Sequence, residues 1–283
     1  MSQALSLDTA SVEKILLTFL REECRSAGFS RGVLGLSGGI DSAVVCYLAA
    51  RALGPENVTA VMMPASVSSA SSLTDAELVL EATGVTSRLV EINDMAEGYL
   101  SHTPGASDLR KGNVFARCRM IVLYDVSAEF EGLVLGTSNK TELLLGYGTL
   151  FGDLASAINP IGDLYKTQVR MLAEHLGVPE SIRTKPPSAD LWEGQEDEDE
   201  LGASYEDLDH VLSRLVEDRA APNRLIEEGA SAELVQSLVH RVRRNQYKRR
   251  PPIIAKVSSR TIGPDFRLPR DAALSRDRRF SDS

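Results

Sequence analysis

Six consecutive residues, Ser37-Gly38-Gly39-Ile40-Asp41-Ser42, have the makings of an anion site. An apolar run precedes them (Val33 to Leu36) and another follows (Ala43 to Ala50), so the pattern reads strand, glycine turn, helix. That order aims backbone N–H groups and a helix N-terminus at one point. Gly38 and Gly39 let the chain turn sharply and let an oxyanion approach with no Cβ in the way. Ser37 and Ser42 add hydroxyl donors. Asp41 is discordant, because a carboxylate beside a phosphate is repulsive unless a cation lies between them, and it reads as a Mg²⁺ ligand. A second polar group, Ser138-Asn139-Lys140-Thr141-Glu142, ends the apolar run Leu133 to Thr137 and offers Glu142 as a matching carboxylate. Lys166 falls in the first turn of an expected helix, where a cation opposes the dipole. That placement fits an anionic partner as well as simple exposure.

The elements that must position these residues follow from hydrophobic period. Val12, Ile15, Leu16, Phe19 and Leu20 predict a helix over Ser11 to Ala27, with residues 1–10 frayed before it. Strands are expected at Val33 to Leu36, Val58 to Met63, Arg88 to Ile92 and Leu133 to Thr137. Thr74-Asp75-Ala76-Glu77 reads as the capping box of a helix ending near Thr83. Residues 101–110 read as a polar loop before a long helix from about Gly112 to Glu131, with Arg117 and Arg119 flanking an apolar run, either as ligand contacts or as a solvated edge. Asp163 is the expected N-cap of a helix Leu164 to Leu176 that stops at Gly177. Met62 and Met63, at the end of the second strand, read equally as core or as neighbours of a bound base. The alternation of strands and helices implies a parallel sheet covered on both faces, with ligands beyond the C-terminal strand ends. After Thr184 the chain becomes helical, at Tyr205 to Asp218, Arg224 to Glu228 and Ala232 to Arg244. Lys185-Pro186-Pro187 leads into an acidic run, Glu196 to Glu200, expected to be solvated. With Trp192, the single tryptophan, segment 184–204 is a candidate closing lid.

Composition narrows the class. A 283-residue chain that is 43% hydrophobic and 25% charged is an ordinary globular protein. A formal net charge of −9 and 5% aromatics argue against a nucleic-acid partner. Three cysteines, Cys24, Cys46 and Cys118, form no CxxC and predict a reducing, cytoplasmic setting. No apolar run approaches the roughly 20 residues that span a bilayer, so no membrane partner is expected. The reading is one α/β domain over residues 1–266 and a disordered tail over 267–283.

The loop is neither GxxxxGK[ST] nor GxGxxG. It resembles the PP-loop of the N-type ATP pyrophosphatases, which cleave ATP between its α- and β-phosphates. Five motifs in order, LSGGIDSA, ARCRMIVLYD, LGTSNKTE, GYGTLFGD with INPIGDLYKTQV, and KPPSADLWEGQEDEDELGASYEDLD, make the chain similar to the ammonia-dependent NAD⁺ synthetases over roughly Ser11 to Lys256. The resemblance implies a Rossmann-like parallel sheet of the adenine nucleotide alpha hydrolase type with a helical C-terminal part. It implies that deamido-NAD⁺ is activated by ATP as an acyl-adenylate and then amidated by ammonia, giving NAD⁺, AMP and pyrophosphate. It also implies a homodimer with the dinucleotide at its interface. No amidase-like segment precedes the loop, so free ammonia or a separate donor is expected to supply nitrogen.

Carried onto this sequence, the family pattern implies ATP contacts at Gly35, Leu36, Ser37, Gly38, Gly39, Ile40, Asp41 and Ser42, together with Met62, Thr137, Lys166 and Ser188. Mg²⁺ falls to Asp41 and Glu142. Deamido-NAD⁺ falls to Arg117, Tyr147 and Lys248, and Asp153 is the candidate base for ammonium, which is not nucleophilic until it loses a proton. Some members have Lys at the position of Leu150 and Asp at that of Ala157, and many have His where Tyr247 stands, so details of dinucleotide binding differ here. Rival readings are a PP-loop enzyme that adenylates another acceptor, such as a GMP synthetase domain or a tRNA-thiolating enzyme, and a non-catalytic nucleotide-binding module. Retention of Ser37, Asp41, Ser42, Glu142 and Lys166 weighs against the second.

Overall fold

The computed structural model describes residues 5–188, 192, 195–263 and 265–267. In chain order the elements are α1 (Thr9–Ser26), β1 (Gly32–Gly35), α2 (Ile40–Leu53), β2 (Val58–Met62), α3 (Ala70–Thr83), β3 (Thr86–Leu89), α4 (Asn93–Leu100), α5 (Asp108–Phe130), β4 (Leu133–Val134), α6 (Lys140–Leu145), α7 (Lys166–Leu176), α8 (Glu180–Thr184), α9 (Asp197–Leu201), α10 (Tyr205–Val216), α11 (Pro222–Glu227) and α12 (Ala232–Arg244).

The strands form one parallel sheet in the order β3-β2-β1-β4. Gly32 pairs with Val58 on one side and with Leu133 on the other. Strand order therefore reverses at β1, and a crevice opens beyond its C-terminal end, where ligands bind in open α/β sheets. One face of the sheet packs against α1, α2 and α7, through Val44, Leu48, Val169 and Leu172 among others. Val33, Val61 and Ile92 face the other way, onto Phe115, Val122 and Val126 of α5. α2 is apolar nearly all round, and residues Ala43 to Ala49 are buried, because it lies between the sheet and its neighbouring helices. A separate apolar cluster joins Leu145 and Tyr165 to Tyr205, Leu208, Leu212, Val235 and Leu238 of the later helices. Leu5 is buried in this cluster, so the expected fraying does not extend to it, and α1 already begins at Thr9. Cys24, Cys46 and Cys118 are free and buried.

Several boundaries differ from the sequence reading. α3 starts at Ala70, because Ser69 is its N-cap and its Oγ accepts the Ser72 N–H at 3.2 Å. Thr74 and Glu77 thus lie inside the helix. α7 starts at Lys166, with the Tyr165 N–H taken by the Gln168 side chain. Asp163 caps nothing there, and its carboxylate pairs with Lys140 at 2.8 Å. β3 sits earlier than expected because its partner β2 ends at Met62, opposite Leu89. β4 is short: Leu135 keeps its N–H on the Val33 carbonyl at 2.8 Å but pairs with Ile158 on its other side. α5 reaches back to Asp108, into the expected loop, and α4 was not anticipated. The expected tail lies outside the described residues beyond Arg267.

Gly38 carries a constraint of its own. Its φ is +78°, and a Cβ there would stand 2.1 Å from the Ser72 carbonyl oxygen. Gly39 has no such neighbour; its closest is the Ser37 hydroxyl at 3.3 Å. Gly38→Ala is expected to cost about 2–5 kcal/mol from left-handed strain plus overpacking, and Gly39→Ala markedly less, as measured by urea unfolding.

Candidate active site

The crevice is a cavity of about 960 Å³, within the range of small-molecule sites. Its floor is the turn after β1. The Ser37 N–H donates to Ser42 Oγ at 3.2 Å, and Ser42 Oγ donates to the Gly39 carbonyl at 2.9 Å. The Ser37 hydroxyl accepts the Gly39 N–H at 3.2 Å. These bonds hold the turn in shape before any ligand arrives.

Three charged side chains from distant parts of the chain meet above it. Lys166 Nζ lies 2.5 Å from Asp41 Oδ2 and 3.6 Å from Glu142 Oε1. The lysine side chain is only 4% exposed. Asn139 ties the two acidic residues together. Its Nδ2 donates to Asp41 Oδ1 at 2.9 Å, while its Oδ1 accepts the Glu142 N–H at 3.0 Å as the N-cap of α6. Glu142 returns the bond, its Oε2 accepting the Asn139 N–H at 3.1 Å. The capping box therefore takes one oxygen of Glu142 and leaves the other facing Lys166. Burial, reinforced by the charge of Asp41, raises the Glu142 carboxyl above the ordinary glutamate range, with Lys166 opposing. Burial also works against the Lys166 ammonium, but Asp41 and Glu142 outweigh it and hold its pKa above the usual lysine value.

The acidic run keeps the solvated character its composition predicts at Glu196, Asp199 and Glu200, which are exposed, but not throughout. It forms α9, and Asp197 is buried. The Tyr147 and Tyr205 hydroxyls donate to its two carboxylate oxygens at 2.9 and 3.2 Å. Gln195 Nε2 donates to Glu200 Oε1 at 2.7 Å, and Arg241 donates to the Glu200 carbonyl at 2.9 Å. Ordered acceptors and donors, absent from a composition count, offset the self-repulsion of the run. Trp192 is half-buried at the cavity wall. Residues 189–191 and 193–194 of the expected lid lie outside the described residues.

Lys248, also in the cavity lining, donates to the carbonyls of Gly146 and Gly148, both at 2.7 Å. Burial lowers its pKa, with Asp153 opposing. Asp153 Oδ1 accepts the Thr149 N–H at 2.7 Å. The Asp153 residue is exposed to the open cavity, yet the protein around it raises its carboxyl above the usual range, the Thr149 N–H pulling the other way.

Most predicted residues thus share one cavity. Gly35, Leu36, Ser37, Gly39, Ile40, Asp41 and Ser42 line it, as do Met62, Thr137 and Glu142, and Tyr147, Asp153, Lys166, Ser188 and Lys248. Gly38 instead faces the backbone of α3. Arg117 does not line the cavity; it is exposed and donates to the Leu150 carbonyl at 3.3 Å. Arg119 does line it, with Nε on the Met63 carbonyl at 3.1 Å. Met62 and Met63 are both buried and both line the cavity. Sequence reasoning assigned no role to Lys185, which lines the cavity and pairs with buried Asp75 at 2.8 Å. It also gave none to Asp197, hidden within a charge run that reads as solvent-facing. Tyr205 and Asp209 were the detectable ones: they and Leu212 recur at helical spacing on the apolar face of α10.

A family model described as NAD synthase matches residues 12–252. The chain belongs to the NAD synthase family. Among curated relatives, the NH(3)-dependent NAD(+) synthetase of Chlorobium phaeobacteroides is 57% identical over 270 residues, covering 95% of this chain and 98% of that one. The corresponding protein of Chlorobaculum tepidum is 56% identical over 269 residues, covering 95% and 97%. Among solved structures, the NH3-dependent NAD synthetase of Campylobacter jejuni superposes with a TM-score of 0.77 at 34% identity, covering 89% of this chain and all of that one. An NMN synthetase from Francisella tularensis superposes with a TM-score of 0.79 at 32% identity, covering 88% and 99%. Membership of the NAD synthase family makes the protein an enzyme of the ligase class, built on the Rossmann-like fold that the motifs implied.

Replacing Lys166 tests the charge cluster. Lys166→Met leaves two half-buried carboxylates without their counter-charge, and is expected to cost about 3–5 kcal/mol of stability and at least ~100-fold in turnover. The Glu142 pKa rises further without the ammonium. The native state then keeps a proton that the unfolded chain has released, so the stability of the variant falls as pH rises through that window. Urea unfolding of Lys166→Met should therefore show partial recovery between about pH 8 and about pH 6, and more than wild type shows.

Proposed function

We propose that the enzyme amidates deamido-NAD⁺ with ammonia at the expense of ATP, yielding NAD⁺, AMP and pyrophosphate through an acyl-adenylate. The observation that carries this reading is the Lys166–Asp41–Glu142 cluster poised over the Ser37–Ser42 turn, in a chain more than half identical to curated ammonia-dependent relatives. Two anions must meet in the first step, a nicotinate carboxylate and the α-phosphate of ATP. The turn supplies backbone N–H groups and hydroxyls to the phosphates, and Lys166 supplies a buried positive charge where charge shifts toward pyrophosphate. Lys166 and Asp41 hold ATP together with Thr137 and Ser188, and Met62 lies against the base.

Asp41 and Glu142 fit magnesium by the chemistry of the donor set. Both are hard oxygen donors, and Glu142 is held in a position where repulsion from Asp41 already penalises its charge. Among the described residues no cluster of three or more His, Cys, Asp or Glu forms a protein-only cage. Two carboxylates completed by substrate phosphates and water are the usual magnesium arrangement. When bound, the ion would neutralise phosphate charge as the leaving group departs.

In the second step ammonia attacks the activated carbonyl and AMP leaves. Asp153 and Lys248 line the cavity and stand near enough to each other for their charges to interact. Asp153, with its raised pKa, takes the proton from ammonium, and Lys248 and Tyr147 face the dinucleotide. Arg117 reaches the dinucleotide from a second copy of the chain: it is exposed on α5 beside Ile121 and Tyr124, apolar side chains that a homodimer would cover. No helix among the described residues is long and apolar enough to cross a membrane. The free state of Cys24, Cys46 and Cys118 supports a reducing, cytoplasmic setting.

The test is turnover of the purified protein with ATP, Mg²⁺, an ammonium salt and either deamido-NAD⁺ or nicotinate mononucleotide. Equimolar NAD⁺ and AMP from the dinucleotide, with little product from the mononucleotide, is the expected result. Preference for the mononucleotide would move the enzyme toward the activity named for the Francisella protein, and AMP without either product would reject both. Asp153→Asn is expected to lower kcat/KM for ammonium by about 100-fold or more near neutral pH, and by less in alkaline solution, where free ammonia needs no base. Unchanged turnover of that variant near neutral pH would remove Asp153 from the role.

A further inference from the structure

Lys166 and Glu142 stand in the first turns of separate helices, which a backbone bond from the Lys140 N–H to the Leu164 carbonyl at 2.8 Å already brings together. Asp209, on α10, braces that junction from outside. Its side chain is fully buried, and it does not line the cavity. Asp209 Oδ1 accepts the Thr141 hydroxyl at 2.5 Å, and Oδ2 accepts the Thr167 N–H at 2.8 Å. Thr141 Oγ1 in turn accepts the Lys166 N–H at 3.0 Å. Each of these donors adjoins, or is, a residue of the charge cluster: Thr141 precedes Glu142, and Thr167 follows Lys166.

We infer that Asp209 is a positioning residue that locks the first turns of α6 and α7 to each other, and so sets the separation of Glu142 from Lys166. The direction of the bonds is determined. The Lys166 amide can only donate, so Thr141 oxygen accepts there and its one proton goes to Asp209. A carboxylate is the one small side chain that accepts at both ends without presenting a hydrogen of its own. The same carboxylate offsets a local cost. Lys166 is a cation in the first turn of an 11-residue helix, the unfavourable end for positive charge, and an anion bonded to the next residue's N–H compensates it. Asp209 is anchored by its own helix, since Tyr205, Leu208 and Leu212 are buried around it. α10 thus acts on the reaction through a hydrogen-bonded strut, and none of its residues lines the cavity.

The inference rests on the roles given above to Lys166 and Glu142, and the wild-type assay separates the two. Steady-state kinetics with ATP, deamido-NAD⁺ and ammonium are compared for wild type, Thr141→Val, Thr141→Ser and Asp209→Asn. Thr141→Val and Asp209→Asn are expected to lower kcat about 10- to 100-fold, the usual effect of losing a residue that orients site groups, with KM for the dinucleotide nearly unchanged. Thr141→Ser keeps the hydroxyl and is expected to stay within about threefold of wild type. The double variant Thr141→Val/Asp209→Asn should lose no more than the worse single one, because both remove one strut. If Asp209→Asn fails to fold, the Val and Ser pair at position 141 decides alone. Near wild-type kcat in folded Thr141→Val overturns the inference, as does a Thr141→Ser that falls as far as Thr141→Val. A wild type that makes no NAD⁺ would instead refute the activity, and the positioning role with it.

Discussion

A lysine ammonium packed between two carboxylates, almost out of water, is the arrangement on which the rest of the structure depends. Each of these charges is costly to bury singly, and the cost is offset only while all three remain in register. Their residues lie 125 positions apart at the extremes, so register cannot come from local structure. It comes from a sheet that reverses strand order at β1, which brings the turn after β1 and the turn after β4 to opposite sides of one crevice. Asn139 makes the connection explicit, since a single amide caps α6 and holds Asp41.

This explains why the central strands are so thoroughly covered, while β3 at the sheet edge is exposed along its length. Val33 and Val61 are buried on one face, and Leu34 and Ala60 on the other. Burial on both faces leaves the strand ends little freedom to shift, and the turn at Ser37 to Ser42 inherits that rigidity. Rigid backbone is what a charge-stabilising site requires, because donors already in place cost no reorganisation when charge develops. The segment around α9 is built differently. The Asp197 carboxylate accepts from Tyr147 and Tyr205, the Glu200 carboxylate from Gln195, and the Glu200 carbonyl from Arg241, so polar bonds fasten it where apolar packing holds the strands.

Much of this was legible in the residues. The strand, turn and helix around Gly38 follow from two apolar runs and two glycines, and the second ligand-bearing turn from the same logic at Leu133 to Glu142. α12 matches its hydrophobic period residue for residue, from Ala232 to Arg244. What was not legible has a common physical cause. Asp197 in an acidic run and Lys185 beside two prolines acquire their meaning from partners distant in sequence, and charge reads as solvent-facing until those partners are known. Local signals also compete. Thr74 and Asp163 are sound capping residues, but Ser69 and the Gln168 side chain serve the helix starts that packing imposes.

The three cysteines lead to a different kind of consequence. Burial pushes the Cys24 and Cys46 thiols up to about 11, and raises Cys118 as well. Oxidation, nitrosation and mixed-disulfide formation all proceed through an accessible thiolate. The folded protein offers none among its cysteines. In the folded state its cysteines are therefore poor partners for thiol exchange, whatever the redox balance around them.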